Sequence, residues 1–223
     1  MKQIILIHTV QTMYLRFEKR LRSALKEEVK IDNVLDTFFS SNPNEIGYFS
    51  TENLNRLYLT LKSAELAGPV CIPVVCSSLS PYVEKLNDLF SVPVLQIDKR
   101  LGSEAIVKGD DIMVLASASS ASKATTALVQ KAANFSGRNI NIESIYDIRA
   151  FHGMMNGDMD THDKVILETA EKIKDKAVIV LAQGSMEHLS EQIAEITGIP
   201  VISAPQLLIE DIKAIVEKNL PGG

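Results

Sequence analysis

Cys76 is the residue most suited to chemistry. It is followed by Ser77 and Ser78 where an apolar run gives way to a helical pattern, and a thiol at such a helix start would have its thiolate favoured. Three other short polar stretches occupy the same kind of junction: His8-Thr9, the run Ala116-Ser117-Ala118-Ser119-Ser120, and Gln183-Gly184-Ser185. There the free backbone N–H groups and the macrodipole of the following helix favour an anion. The four stretches together therefore suit a small carboxylate-bearing molecule. His8 adds an imidazole, whose ordinary pKa of about 6.5 suits a proton partner. A histidine bonding only locally reads equally well. Ser77 and Ser78 also fit as helix N-caps. Of the serine-rich run, Ser117 and Ser119 are expected to face inward.

Other reactive residue types read differently. Cys71 lies near the start of the strand that ends at Cys76 and is expected to be core. Five residues apart on one strand, the two thiols should face opposite ways and are poorly placed to bond, which fits a reducing, cytoplasmic compartment. His162 sits among Asp158, Asp160 and Asp163, but the spacing matches neither a Ca²⁺ loop nor a zinc site. The expectation is an exposed helix start with acidic first-turn residues, and no metal. His152 and His188 have no partner that the sequence names.

The elements that position the strand-end residues follow from hydropathy. Eight apolar runs alternate with amphipathic stretches: Ile4 to Ile7, Val29 to Leu35, Val70 to Val75, Val92 to Ile97, Ile112 to Leu115, Ile140 to Ile145, Ala177 to Leu181 and Ile199 to Ile202. This is the pattern of βα units and a parallel sheet. The last four runs repeat the first four. QIILIHTV matches DIMVLASA at an offset of 108 residues, and VVCSSLSPYVEKLNDLFSVPVLQID matches LAQGSMEHLSEQIAEITGIPVISAP without a gap at 107. Generic βα units would share periodicity but would not hold register over so long a stretch. The fold class is thus α/β, with two pseudo-symmetric, doubly wound, parallel four-stranded domains. Ligands bind such sheets at the carboxyl ends of the strands.

Composition bounds the rest. With 223 residues, 46% of them hydrophobic, the chain can bury a substantial core. The net charge is −5 with acids and bases interspersed, so there is no basic stripe for nucleic acid. The Ile4 to Ile7 run is too short for a membrane span or a signal sequence, and no membrane partner is expected. A homodimer is the general default for a cytoplasmic enzyme.

Taken in order, ILIHTV, PVVCSSLSP, VLASASSASK, VIVLAQGSM and IPVISAP resemble the aspartate/glutamate/hydantoin racemase superfamily over nearly the whole chain. The resemblance implies two α/β domains facing across a cleft, no cofactor, and a carboxylate-bearing substrate held by hydroxyls and helix amino ends. The repeat divides the chain into 1–98 and 99–205, and the resemblance implies that the last helix, in 206–223, returns to the first half. The glycine- and methionine-rich stretch Phe151 to Met159 reads as a mobile loop, for which the resemblance allows a substrate-covering role. Racemases of this family use two cysteines on opposite faces of the substrate carbon. Cys76 matches the first, but Gln183 stands at the second, and an amide does not exchange a proton there. The implied function is cofactor-independent acid–base chemistry beside a carboxylate. Racemase is the label the family supplies. A one-thiol lyase, decarboxylase or isomerase, or a carboxylate-binding protein without turnover, is the alternative.

Overall fold

In the computed structural model, which describes residues 1–25 and 28–218, each apolar run becomes a strand. The first half runs β1 (Lys2–His8), α1 (Gln11–Ala24), β2 (Val29–Leu35), α2 (Phe38–Ile46), α3 (Thr51–Glu65), β3 (Ile72–Val74), α4 (Ser80–Leu86) and β4 (Val94–Gln96). The second runs α5 (Leu101–Lys108), β5 (Asp111–Ala116), α6 (Ser119–Ser136), β6 (Asn141–Tyr146), α7 (Ile148–Met155), α8 (Met159–Ala170), β7 (Val178–Leu181), α9 (Ser190–Thr197) and β8 (Val201–Ser203), and α10 (Ala204–Lys218) follows. The chain divides into one unit of Met1–Lys99 with the residues from Leu208 on, and another of Arg100–Leu207.

Each unit holds a four-stranded, all-parallel sheet, ordered β2-β1-β3-β4 in the first and β6-β5-β7-β8 in the second. The sequence repeat survives as strand register. Ile7 pairs with Val74, and the corresponding Leu115 pairs with Leu181. Likewise Ile72 opposite Val94 becomes Ile179 opposite Val201. A one-residue slip would turn every side chain to the other face, so matching register places equivalent residues at equivalent strand ends. Because β1 and β5 are buried on both faces, they read as continuous apolar runs rather than alternating ones. Ile7, Leu57, Leu61 and Val74 lie in one core cluster, and Leu115, Ile166, Ile179 and Leu181 in another.

Three local expectations need correction. Phe151 to Met159 is not a loop: Phe151 to Met155 complete α7, whose N-cap Asp147 accepts a hydrogen bond from the Arg149 N–H, and only a tight turn separates α7 from α8. Glycine there serves close packing rather than mobility. A Cβ added to Gly153 would lie 2.9 Å from the backbone nitrogen of His162 and 3.0 Å from the carbonyl oxygen of Asp158. Gly153→Ala should therefore lower stability by about 1–3 kcal/mol, read as a fall in thermal midpoint, because backbone cannot swing aside as a side chain can.

The second correction concerns His162. The helix start has the expected acidic character, with Asp158 as N-cap accepting from the Thr161 N–H. His162 itself is fully buried, because it falls on the same helical stripe as Val165, Ile166, Thr169 and Ala170. The third is the strand carrying both cysteines. The ladder covers only Ile72–Val74, with Cys71 in a single bridge to Ile4 and Cys76 two residues beyond the strand.

Candidate functional site

Strand ends of the first unit bring Thr9, Cys76 and Ser78 together, while the His8 side chain meets Asn33 of β2 and Tyr14 and Phe17 of α1. Cys76 keeps an extended backbone and caps the short turn Ser77–Leu79, which leads directly into α4. Its sulfur lies 3.0 Å from the Thr9 hydroxyl, which donates to it, and 3.0 Å from the Ser78 hydroxyl. Neither Ser77 nor Ser78 is the cap; both side chains are exposed, and Ser78 turns back onto the thiol instead. Thr9 is buried and Cys76 half-buried. Two hydroxyls thus hold the sulfur in place at the carboxyl end of β3.

The corresponding strand ends of the second unit make the same arrangement with other atoms. Ser117 stands where Thr9 stands, and Gln183 where Cys76 stands. The Gln183 carbonyl oxygen accepts from the Ser117 backbone N–H at 2.8 Å, and its amide nitrogen donates to the Ser117 hydroxyl at 2.8 Å. Gln183 caps the turn Gly184–Leu189, as Cys76 caps its own. Ser117 is fully buried, Ser119 half-buried at the start of α6, and Ser185 has a buried hydroxyl with no hydrogen-bond partner. Both N-cap positions are apolar, Val10 for α1 and Ala118 for α6, and neither helix has an acid in its first turn. No cap side chain or carboxylate therefore competes with an anion at those helix starts.

The two cysteines differ in environment. Cys71 is completely buried, and desolvation pushes its thiol up to about 12, so it stays protonated and shielded. A neutral alkylating reagent at pH 7.5 should accordingly modify Cys76 alone in the folded protein, with the second adduct appearing only on denaturation. Peptide mass mapping checks this. Equal labelling of both thiols under native conditions would contradict the assignment.

Several contacts around these strand ends carry no sequence signal that local reading could use. His8 is fully buried, with Nε2 3.1 Å from the Asn33 side-chain oxygen. Burial lowers its pKa below the usual histidine value, outweighing the Asn33 hydrogen bond and the Glu18 charge, which pull it up. Asp98, in the turn after β4, has its carboxyl raised above the ordinary range, chiefly by burial. In the second unit, Asp163 bridges two histidines: His162 Nδ1 and His188 Nε2 each lie 2.7 Å from one of its oxygens. Burial acts to raise the Asp163 carboxyl, but its two histidine partners outweigh that and hold it below the usual value. His188 belongs to the turn that Gln183 caps, so this bridge ties that turn to α8. Among the described residues, no group of three or more His, Cys, Asp or Glu side chains could hold a metal ion, and no helix is long and apolar enough to cross a membrane.

Residues 5–212 match the family described as Asp/Glu/Hydantoin racemase. No curated protein matches the chain. Among solved structures, the aspartate racemase of Picrophilus torridus aligns over 98% of this chain and 94% of its own, with a TM-score of 0.72 and 16% identity. The allantoin racemase of Pseudomonas fluorescens aligns over 98% and 92%, at a TM-score of 0.64 and 18% identity. The glutamate racemase of Francisella tularensis, solved in complex with D-glutamate, aligns over 98% and 81%, at a TM-score of 0.67 and 16% identity. At these identities the likeness is one of fold: two four-stranded parallel sheets in an α/β chain.

Proposed function

Because the chain belongs to the Asp/Glu/hydantoin racemase family, we propose that it is a cofactor-independent enzyme acting at a carbon next to the carboxylate of a small amino or related acid, with Cys76 as acid or base. The observation that carries the reading is the contrast between equivalent strand ends. One presents a half-buried sulfur between two hydroxyls, and the other an amide bonded to Ser117. Inverting a stereocentre needs a proton removed from one face and delivered to the other, by groups that titrate near neutrality. The Cys76 thiol can take up and deliver a proton, and the Gln183 amide cannot. The amide serves instead as a hydrogen-bonding partner, with His8, Thr9, Ser77, Ser78, Ser117, Ser119, Gly184 and Ser185 as the substrate-binding set.

D-glutamate bound to the related glutamate racemase supports small amino acids as the first class to try. The test is a panel of amino and hydroxy acids incubated in D₂O, followed by NMR for loss of the α-hydrogen and chiral chromatography for configuration. Exchange with retained configuration is the expected result. If no member of the panel exchanges, is decarboxylated or is isomerised, yet one of them protects Cys76 from alkylation, the chain is a carboxylate-binding protein without turnover. That alternative draws its support from Gln183, which stands at the strand end equivalent to that of Cys76 and cannot exchange a proton.

A further inference from the structure

His8 sits at the end of a relay that starts on the surface. Arg22 pairs with Oε1 of Glu18 at 2.7 Å, and Oε2 of Glu18 accepts from the Asn33 amide nitrogen at 2.6 Å. A carboxylate can only accept, so the nitrogen of the Asn33 amide must face Glu18 and its oxygen must face His8. That oxygen lies 3.1 Å from Nε2. An amide oxygen also only accepts, so Nε2 must carry the hydrogen. In a neutral imidazole, Nδ1 is then left with a bare lone pair. Nδ1 is buried and has no hydrogen-bond partner among the described residues.

A buried acceptor without a donor is rare enough to need an explanation, and a ligand's donor is one. The rest of the ring environment supplies none. Tyr14 and Phe17 of α1 meet the imidazole edge-on, with centroids 5.5 Å and 6.4 Å away. The ionisable groups around it are Glu18 and Tyr14 on α1. On the neighbouring strand end, Cys76 is bonded to Thr9, the residue that follows His8.

We infer that Asn33, braced by Glu18, is a positioning residue that fixes His8 as its Nε2–H tautomer and so presents Nδ1 as an open acceptor for a ligand N–H or O–H. The ligand half of this inference rests on the reading of the strand ends as a substrate site; the tautomer half does not. An α-ammonium or α-hydroxyl beside a carboxylate is the donor that fits the proposed substrate class.

Two-bond ¹H–¹⁵N correlation spectra of the ¹⁵N-labelled full chain separate the tautomers without any substrate. The expected wild-type result is a single Nε2–H form at His8, with mixed tautomers in Asn33→Leu. Glu18→Gln, which keeps side-chain size and leaves Asn33 in place, should show a partial loss of the same selectivity and guards against a folding defect in the first variant. A wild-type His8 in the Nδ1–H form, or an Asn33→Leu spectrum unchanged from wild type, overturns the inference. With D-glutamate as probe, the Nδ1 resonance should move while Nε2 keeps its proton. Perturbation of the Thr9 and Cys76 amides with Nδ1 unmoved overturns the acceptor role.

Discussion

Cys76→Ala should lower α-hydrogen exchange of the true substrate by at least roughly 10²–10⁴-fold, the range a positioned acid–base group contributes. Cys76→Ser should be nearly as impaired, because a hydroxyl does not ionise near neutrality. Gln183→Cys is the complementary gain. It removes the amide that bonds the Ser117 N–H and hydroxyl, and puts a second thiol at the strand end equivalent to that of Cys76. Inversion, slow or absent in the unaltered protein, should then become measurable by chiral chromatography. Gln183→Ala frees the same Ser117 groups without adding a proton donor and should not gain inversion. Losing the two amide hydrogen bonds should cost either variant about 1–3 kcal/mol, so both need a melting curve beside the activity assay. Efficient inversion by the unaltered protein would refute the one-thiol reading and direct attention to His8.

Leu115→Ala should destabilise the chain by about 2–5 kcal/mol, and Ile7→Ala by a similar amount, from the lost transfer energy and the cavity left behind. Both side chains are fully buried, and each sits on a central strand opposite the strand that leads to a candidate site residue, Val74 before Cys76 and Leu181 before Gln183. Thermal midpoints should fall by roughly 5–20 °C at this chain size. Phe135, 95% exposed on α6, is the control, and Phe135→Ser should change stability by no more than about 0.5 kcal/mol. A Leu115→Ala protein that melts with the wild type would mean that its core cluster contributes little to the fold.

Short-range pattern alone carried much of this molecule. Each of the eight apolar runs overlaps a strand, because a parallel strand buried on both faces must be apolar along its length. The repeat was legible because matched register constrains residue type at every position of the aligned stretch, and the family resemblance could be read from the order of its motifs. The strand-end residues stand out in the sequence because polar side chains break the apolar pattern there, as an N-cap serine also would.

What those residues touch was decided by tertiary structure. Thr9 meets Cys76 across 67 residues of sequence, and Ser117 meets Gln183 across 66, because adjacent parallel strands are brought together only when the sheet closes. The Gln183 amide looked like a simple loss of a thiol; only the folded sheet shows it bonded to Ser117. His162, in an acidic run that reads as surface, is buried because helical spacing puts it in line with Val165 and Ile166, and α7 replaces an expected loop because Gly153 allows two backbones to approach. Asn33 and Glu18 have no local signature at all. Their bearing on His8 exists only where β2 lies beside β1 and α1 folds back over both, since hydrogen bonds act over about 3 Å while sequence patterns report only a residue's own neighbours.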